Sequence, residues 1–293
     1  MSLTLTVPVT LIVLFGALLH ASWNALIKSA TDKSLDTALI HAMGVVVALP
    51  LVFIAGLPPI EALPYLIASL VIHVGYYIAL AGAYKHGDLG LTYPIMRGLA
   101  PLLVALGSGT LIGEHLPTLG WLGIAGISIG VLLVGLSRAA WAHSSHRSAI
   151  AFALSNAVII ALYTVVDGLG VRLAVQHGGN ALQYVAALFL VDGLPYFLIV
   201  MSQRSGQHRS DAWTYMRKRW PLAMLGTIAS LGSYGIALWA MTQAPVAVVA
   251  ALREVSVLFA ALIGAWFLKE SFGIQRGAGT LLVVGGIAAL RLA

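Results

Sequence analysis

The chain has 293 residues, 60% of them hydrophobic and 9% charged, with a mean hydropathy of +0.95. Soluble domains carry about 25% charged residues, so this composition excludes a soluble globular protein and points to a polytopic membrane protein, a single membrane domain whose apolar runs continue to the last residue. The formal charge of +6 comes without a basic groove or an aromatic-basic motif, which argues against nucleic acid, and zero cysteines exclude disulfides, thiolate catalysis and cysteine metal sites.

A bilayer span needs about 20 mostly apolar residues, and Gly, Pro and charged clusters punctuate the chain at that interval. The first span covers 5–27; no basic segment precedes it as in a signal peptide, so it is expected to stay. Spans follow at 37–56, 62–84, 89–111, 118–137, 149–171, 181–201, 220–241, 245–268 and 274–291, ten in all. The first, third, fifth, seventh and ninth connections hold twelve of the sixteen basic residues (Lys28, Lys33, Lys85, Arg138, Arg147, Arg204, Arg209, Arg217, Lys218, Arg219, Lys269, Arg276), whereas the opposite side holds Arg172 and Arg291. By the positive-inside bias the odd connections lie in the cytoplasm and both termini outside, in the cytoplasmic (inner) membrane. The longest connection, MSQRSGQHRSDAWTYMRKRW, reads either as a segment along anionic lipid with Trp213, Tyr215 and Trp220 at the interface or as a solvated loop.

The last two basic residues, Arg97 and Arg253, fall inside spans, where a guanidinium costs about 2.5–3.5 kcal/mol on insertion scales. Arg97 sits about nine residues into its span, roughly 13 Å deep, near mid-membrane. A shift of 156 positions lays Arg97 on Arg253, Glu114 on Glu270, Gly123 on Gly279 and Gly130 on Gly286. A shift of 158 lays YYIAL at Tyr76–Leu80 on YGIAL at Tyr234–Leu238. Five spans per half is odd, so the halves, 1–139 and 147–293, insert with opposite orientation. The expected fold is an all-α membrane protein, ten transmembrane helices as two inverted-topology five-helix repeats, a transporter architecture with its substrate site near the midplane between repeats.

The candidate site residues follow from depth and helical spacing. Arg97 and Arg253 suit a substrate carboxylate, which guanidinium binds through two parallel hydrogen bonds; each could instead pair internally with Glu254 or Asp192. Tyr93, Arg97 and Pro101 recur every four residues and share a face. Pro101 removes the hydrogen bond to the Arg97 carbonyl and is a candidate hinge. His73 and Tyr77 share one side of the third span, with Trp23 and Asn24 on the first, Tyr163 on the sixth and Tyr234 on the eighth; such rings would stack on a flat or cationic substrate. Tyr and Trp also favour membrane interfaces, so each of these rings has a packing role as its alternative. His20 and His73 are the interior groups able to change charge near neutral pH, and Asp167, Asp192 and Glu254 could hold an ammonium, a proton or an arginine. Glu114 and Glu270, at span ends, read as structural ties. No Walker sequence supplies ATP binding, and no HExxH or nucleophile elbow suggests an enzyme. No cofactor or metal is expected, the partners are a small-molecule substrate and the lipid bilayer, and a monomer and a homodimer both remain open.

The segments YKHGDLGLTYPIMRGLAPLLVALGSGTLIGEHLPTLGWLGIAGISIGVLLVG and MTQAPVAVVAALREVSVLFAALIGAWFLKESFGIQRGAGTLLVVGGIAAL resemble the two EamA repeats of the drug/metabolite transporter superfamily. The motif is a proline in the fourth helix of a repeat, a Glu at its end and a Gly-spaced fifth helix, matched by Pro101, Glu114 and Gly130 and again by Glu270 and Gly286; Val257 stands where the second proline is expected. The wealth of Trp, Tyr and His looks most like the YddG-type exporters of aromatic amino acids. That resemblance implies export of aromatic and other apolar amino acids by alternating access, with broad-specificity efflux of cationic drugs, inward permeation and a membrane enzyme as alternatives in that order.

Overall fold

The computed structural model describes residues 5–87, 89–136, 146–267 and 273–293. Glu270, Lys269, Arg138, the far ends of the fifth and ninth expected spans and the boundary at 139 lie outside the described residues. Within them the chain is helical, and nine helical stretches are long and apolar enough to cross a membrane. The tenth expected span is also a helix, Ile274–Leu292, but carries Arg276 and Arg291 near its two ends.

Seven of the ten spans are single helices: α1 (Val7–Lys28), α4 (Leu63–His86), α5 (Leu89–Leu111), α6 (Thr118–Gly135), α7 (His146–Gln176), α10 (Gly206–Met241) and α13 (Ile274–Leu292), which closes the chain. Two expectations change here. The α7 helix runs past 171 to Gln176, and α10 begins at Gly206 rather than at 220, so much of the long polar connection is helix and not loop. Its 36 residues span about 54 Å against a hydrocarbon core of about 30 Å, so the basic first turns project out of the bilayer. Those turns have no proline before Pro221 and are rich in residues of good helix propensity.

The remaining three spans are broken, which the apolar pattern does not reveal. The second is α2 (Lys33–Ala42) and α3 (Gly44–Ala55), the seventh α8 (Ala181–Val191) and α9 (Gly193–Ser202), and the ninth α11 (Val246–Arg253) and α12 (Ser256–Phe267). The breaks of the second and seventh spans dock on each other. A Cβ on Gly193 would lie 2.1 Å from the His41 carbonyl oxygen and one on Gly44 2.9 Å from that of Phe189, so only glycine lets the two backbones approach so closely. At the third break the ladder tightens: Glu254, Val255, Val257 and Leu258 each donate their N–H three residues back, a 3₁₀ pattern that inside a helix marks a hinge.

The α6 and α13 helices cross antiparallel on glycines. Gly123 faces the Gly286 carbonyl and Gly130 that of Gly279, with a Cβ at either site falling 2.7–2.9 Å from backbone oxygen. Backbones this close are the small-residue packing that holds membrane helices together where no hydrophobic drive exists between them. The α4, α5 and α7 helices pack together as the other wall, and α1 lies against α10.

Candidate functional site

The centre of the bundle is polar. The α5 helix carries Arg97 and the end of α11 carries Arg253 and Glu254, all at most 7% exposed. Arg97 Nε lies 2.8 Å from Glu254 Oε2, yet its N–H is not aligned on that oxygen, so this is an ion pair rather than a hydrogen bond. Arg97 Nη2 is 2.9 Å from His20 Nε2 on α1. A guanidinium only donates, so Nε2 accepts and the imidazole proton sits on Nδ1. Arg97 therefore already has two partners.

Arg253 is different. Its Nε is buried with no hydrogen-bond partner, no carboxylate lies within 4 Å of its guanidinium among the described residues, and its Cζ sits 5.0 Å from the centroid of the Tyr234 ring. Among the described residues Glu254 is thus the one carboxylate within 4 Å of either guanidinium, and it lies against Arg97.

The rings form a continuous chain around these charges. His20 meets Trp23 at 5.1 Å and Trp23 meets His41 at 5.8 Å, both edge on. His41 meets Tyr77, which stacks on Tyr196 at 4.8 Å, and Tyr76 joins Tyr77 to Tyr163. His73 stacks on Tyr163 at 4.3 Å, and Tyr163 reaches Tyr234 at 6.4 Å. Tyr93 lies under Arg97, with Cζ 5.9 Å from its ring centroid. Tyr77 and Tyr163 are buried, whereas His20, Trp23, Tyr76, Tyr93 and Tyr234 stay partly exposed.

Two buried carboxylates hold the phenols. Asp167 accepts from Tyr184 at 2.9 Å and from Tyr234 at 2.5 Å. Asp192, at the break between α8 and α9, accepts from Tyr77 at 2.8 Å through Oδ2, while Oδ1 has no hydrogen bond and lies 3.9 Å from His73 Nδ1. The His73 Nδ1–H donates to the Ser69 carbonyl at 2.8 Å, which orients the ring.

Eight of the nine sequence-selected residues therefore fall into one cluster: Trp23, His73, Tyr77, Tyr93, Arg97, Tyr163, Tyr234 and Arg253. Asn24 is apart, because its Nδ2 donates to the His20 carbonyl of its own helix. The α5 helix runs unbroken through Pro101. His41, Tyr184 and Tyr196 were not singled out from sequence. The usable signal was a polar residue beside glycine in mid-span, as in His41 to Gly44 and Asp192–Gly193. Outside the membrane, Asp32 is a carboxyl with a shifted acidity. Burial raises its carboxyl, but the Leu35 N–H, Arg204 and Ser34 outweigh burial and hold it below the usual carboxylate value.

The family profile of the EamA-like transporter family matches residues 147–292. A solved structure described only as "Crystal structure of protein" aligns with a TM-score of 0.75 and 20% identity, covering 97% of this chain and 96% of its own, and so shares the fold. No curated protein matches the chain. Residues 147–292 are thus an EamA-like transporter family domain, set within an all-helical, multi-pass membrane fold.

Proposed function

We propose that the chain is a secondary transporter that exports small amphipathic zwitterions, aromatic and other apolar amino acids first among them, across the cytoplasmic membrane by alternating access. The observation that carries this reading is Arg253: a buried guanidinium with no carboxylate of its own, lying over an aromatic ring. Burying an unpaired charge is costly unless a counter-ion arrives, and a substrate carboxylate is the counter-ion such a site lacks. Arg97 is engaged by Glu254 and His20, so the substrate-binding role belongs to Arg253 and the positioning role to Arg97. Tyr163, Tyr234 and Trp23 offer faces and edges to a ring, and Asp167, accepting from the Tyr234 hydroxyl, offers oxygen to an ammonium.

Two inverted repeats, 1–139 and 147–293, with both termini outside and the basic connections in the cytoplasm, are part of this proposal. The antiparallel glycine crossing of α6 on α13 supports it, as do the matched breaks of the second and seventh spans. Alternating access would then rock one half against the other about Arg97 and Glu254, with Pro101 and the 3₁₀ turn at 254–258 as flexible points.

Purified protein in liposomes is expected to move labelled phenylalanine or tryptophan without ATP, and Arg253→Ala to abolish that flux while the protein still folds. Flux equal to empty liposomes across a panel of amino acids would overturn the reading. A second reading, efflux of organic cations, has one observation in its favour: the unbonded Oδ1 of buried Asp192. It predicts flux of a quaternary ammonium that depends on Asp192 and not on Arg253.

A further inference from the structure

Among the described residues four arginine–carboxylate pairs join the first half of the chain to the second, at three levels of the membrane, with Arg204–Asp32 lying on the same face as Arg219–Asp36. Arg97–Glu254 is the middle one. On the face where α5 ends, Arg172 Nη2 of α7 lies 2.6 Å from Glu114 Oε1, in the α5–α6 connection. On the opposite face, where α1 ends, Arg219 Nη2 of α10 lies 2.8 Å from Asp36 Oδ2 of α2, and its Nε lies 3.2 Å from the same oxygen.

The Glu114 pair does more than bridge. Glu114 Oε1 also accepts the Val246 N–H at 2.9 Å, the first amide of α11, and Arg172 donates to the carbonyls of Met241 at 2.7 Å and Ala244 at 3.1 Å in the turn that leads into α11. Gly113, at φ +74°, supplies the left-handed turn that brings Glu114 inward. The eight residues of α11 end in Arg253, followed by Glu254. One side chain at the membrane face thus holds the far end of the short rod that presents the substrate arginine. The 3₁₀ turn after Glu254 lets that rod tilt without dragging α12.

We propose that Glu114 and Arg172 form a latch that closes the Glu114 face of the pathway and positions Arg253 through α11, while Asp36 and Arg219 form the counter-latch that closes the opposite face. The inference rests on the transporter reading above. Both pairs are formed here, and on this reading opening either one exposes the centre to that side alone. Each pair is largely desolvated, with side-chain exposures of 14% and 9% for Arg172 and Glu114 and 22% and 4% for Arg219 and Asp36. Neutralising one partner strands the other charge, which favours the state in which water reaches it.

Because the chain has no cysteine, a single Ser256→Cys, at the turn beside Glu254, reports on the centre. An impermeant maleimide is applied from each side of the membrane to cells and to inverted vesicles. Glu114→Gln is expected to raise labelling from the Glu114 side relative to the other by about tenfold, a shift that loss of a close buried charge pair supports. Asp36→Asn is expected to shift the ratio the opposite way, and the swap Asp36→Arg with Arg219→Asp to return it. If Glu114→Gln fails to accumulate, Arg172→Lys carries the same expectation, since lysine keeps the charge but lacks the fork that reaches Met241 and Ala244. An unchanged ratio in folded variants, or a shift in the same direction for both, overturns the latch. Labelling needs no substrate: the expected ratios without amino-acid flux would sink the substrate assignment alone, and flux with unmoved ratios the latch alone.

Discussion

Arg97 to Pro101 in α5 and Arg253 to Val257 in α11–α12 occupy matching places in the two halves, but their backbones behave oppositely. The segment with the proline is a continuous helix, and the one with valine breaks. A missing N–H at Pro101 costs one hydrogen bond, yet the helix continues on both sides of it, packed against α6 and α7. At 254–258 the chain instead gives up α-helical bonding so that two charged neighbours, Arg253 and Glu254, both turn into the centre. The comparison teaches that a pair of buried charges can interrupt a membrane helix where a proline leaves it continuous.

The comparison can be broken most sharply at the arginines. Arg97→Ala leaves Glu254 buried and unpaired, and should cost about 3–5 kcal/mol of stability; Arg97→Ala with Glu254→Gln should recover most of it in thermal unfolding in detergent. Arg253→Ala strands no partner and should move stability by less than about 1 kcal/mol, while weakening binding of a carboxylate substrate by about 2–5 kcal/mol in calorimetry. Equal destabilisation by the two alanines would show that Arg253 has a structural partner after all.

Smaller effects sharpen the backbone contrast. Val257→Pro should cost about 0.5–1.5 kcal/mol, one hydrogen bond to Glu254, rather than the ~3 kcal/mol of a proline in mid-helix, because Val257 stands in the first turn of α12. A loss near the larger figure would mean that the turn is not pre-formed. The smallest effect is at the Asp36 face, where Asp32 bonds Arg204 at 2.7 Å. Its folded carboxyl titrates below the unfolded value, so its contribution is full above the ordinary Asp range and is lost as pH falls through the folded value. Wild type should therefore lose more stability than Asp32→Asn on acidification below about pH 4, and parallel curves would remove Asp32 from that account.

Much of the architecture was legible in the sequence. Runs of about 20 apolar residues locate the helices, since a bilayer leaves the backbone no other way to satisfy itself. The repeated Arg97 and Arg253 flagged the centre because guanidinium is too costly to bury without purpose. The broken spans were not legible: Met43, Asp192 and Glu254 sit in runs as apolar as those of intact helices, and the first two breaks arise where Gly44 and Gly193 let separate parts of the chain touch. The long polar connection before residue 220 was read from its charge, and its helical state follows from propensity that charge conceals.

By itself the sequence determined the membrane class, the helices that run unbroken and the cluster of rings and charges drawn to mid-membrane, because hydropathy and helical period are local properties. Only the tertiary structure decided which arginine is spoken for. Glu254 is adjacent in sequence to Arg253, yet it pairs with Arg97 on another helix, since the 3₁₀ turn aims its carboxylate across the bundle, and that long-range choice leaves the Arg253 Nε without a hydrogen-bond partner among the described residues, as the proposed carboxylate site requires.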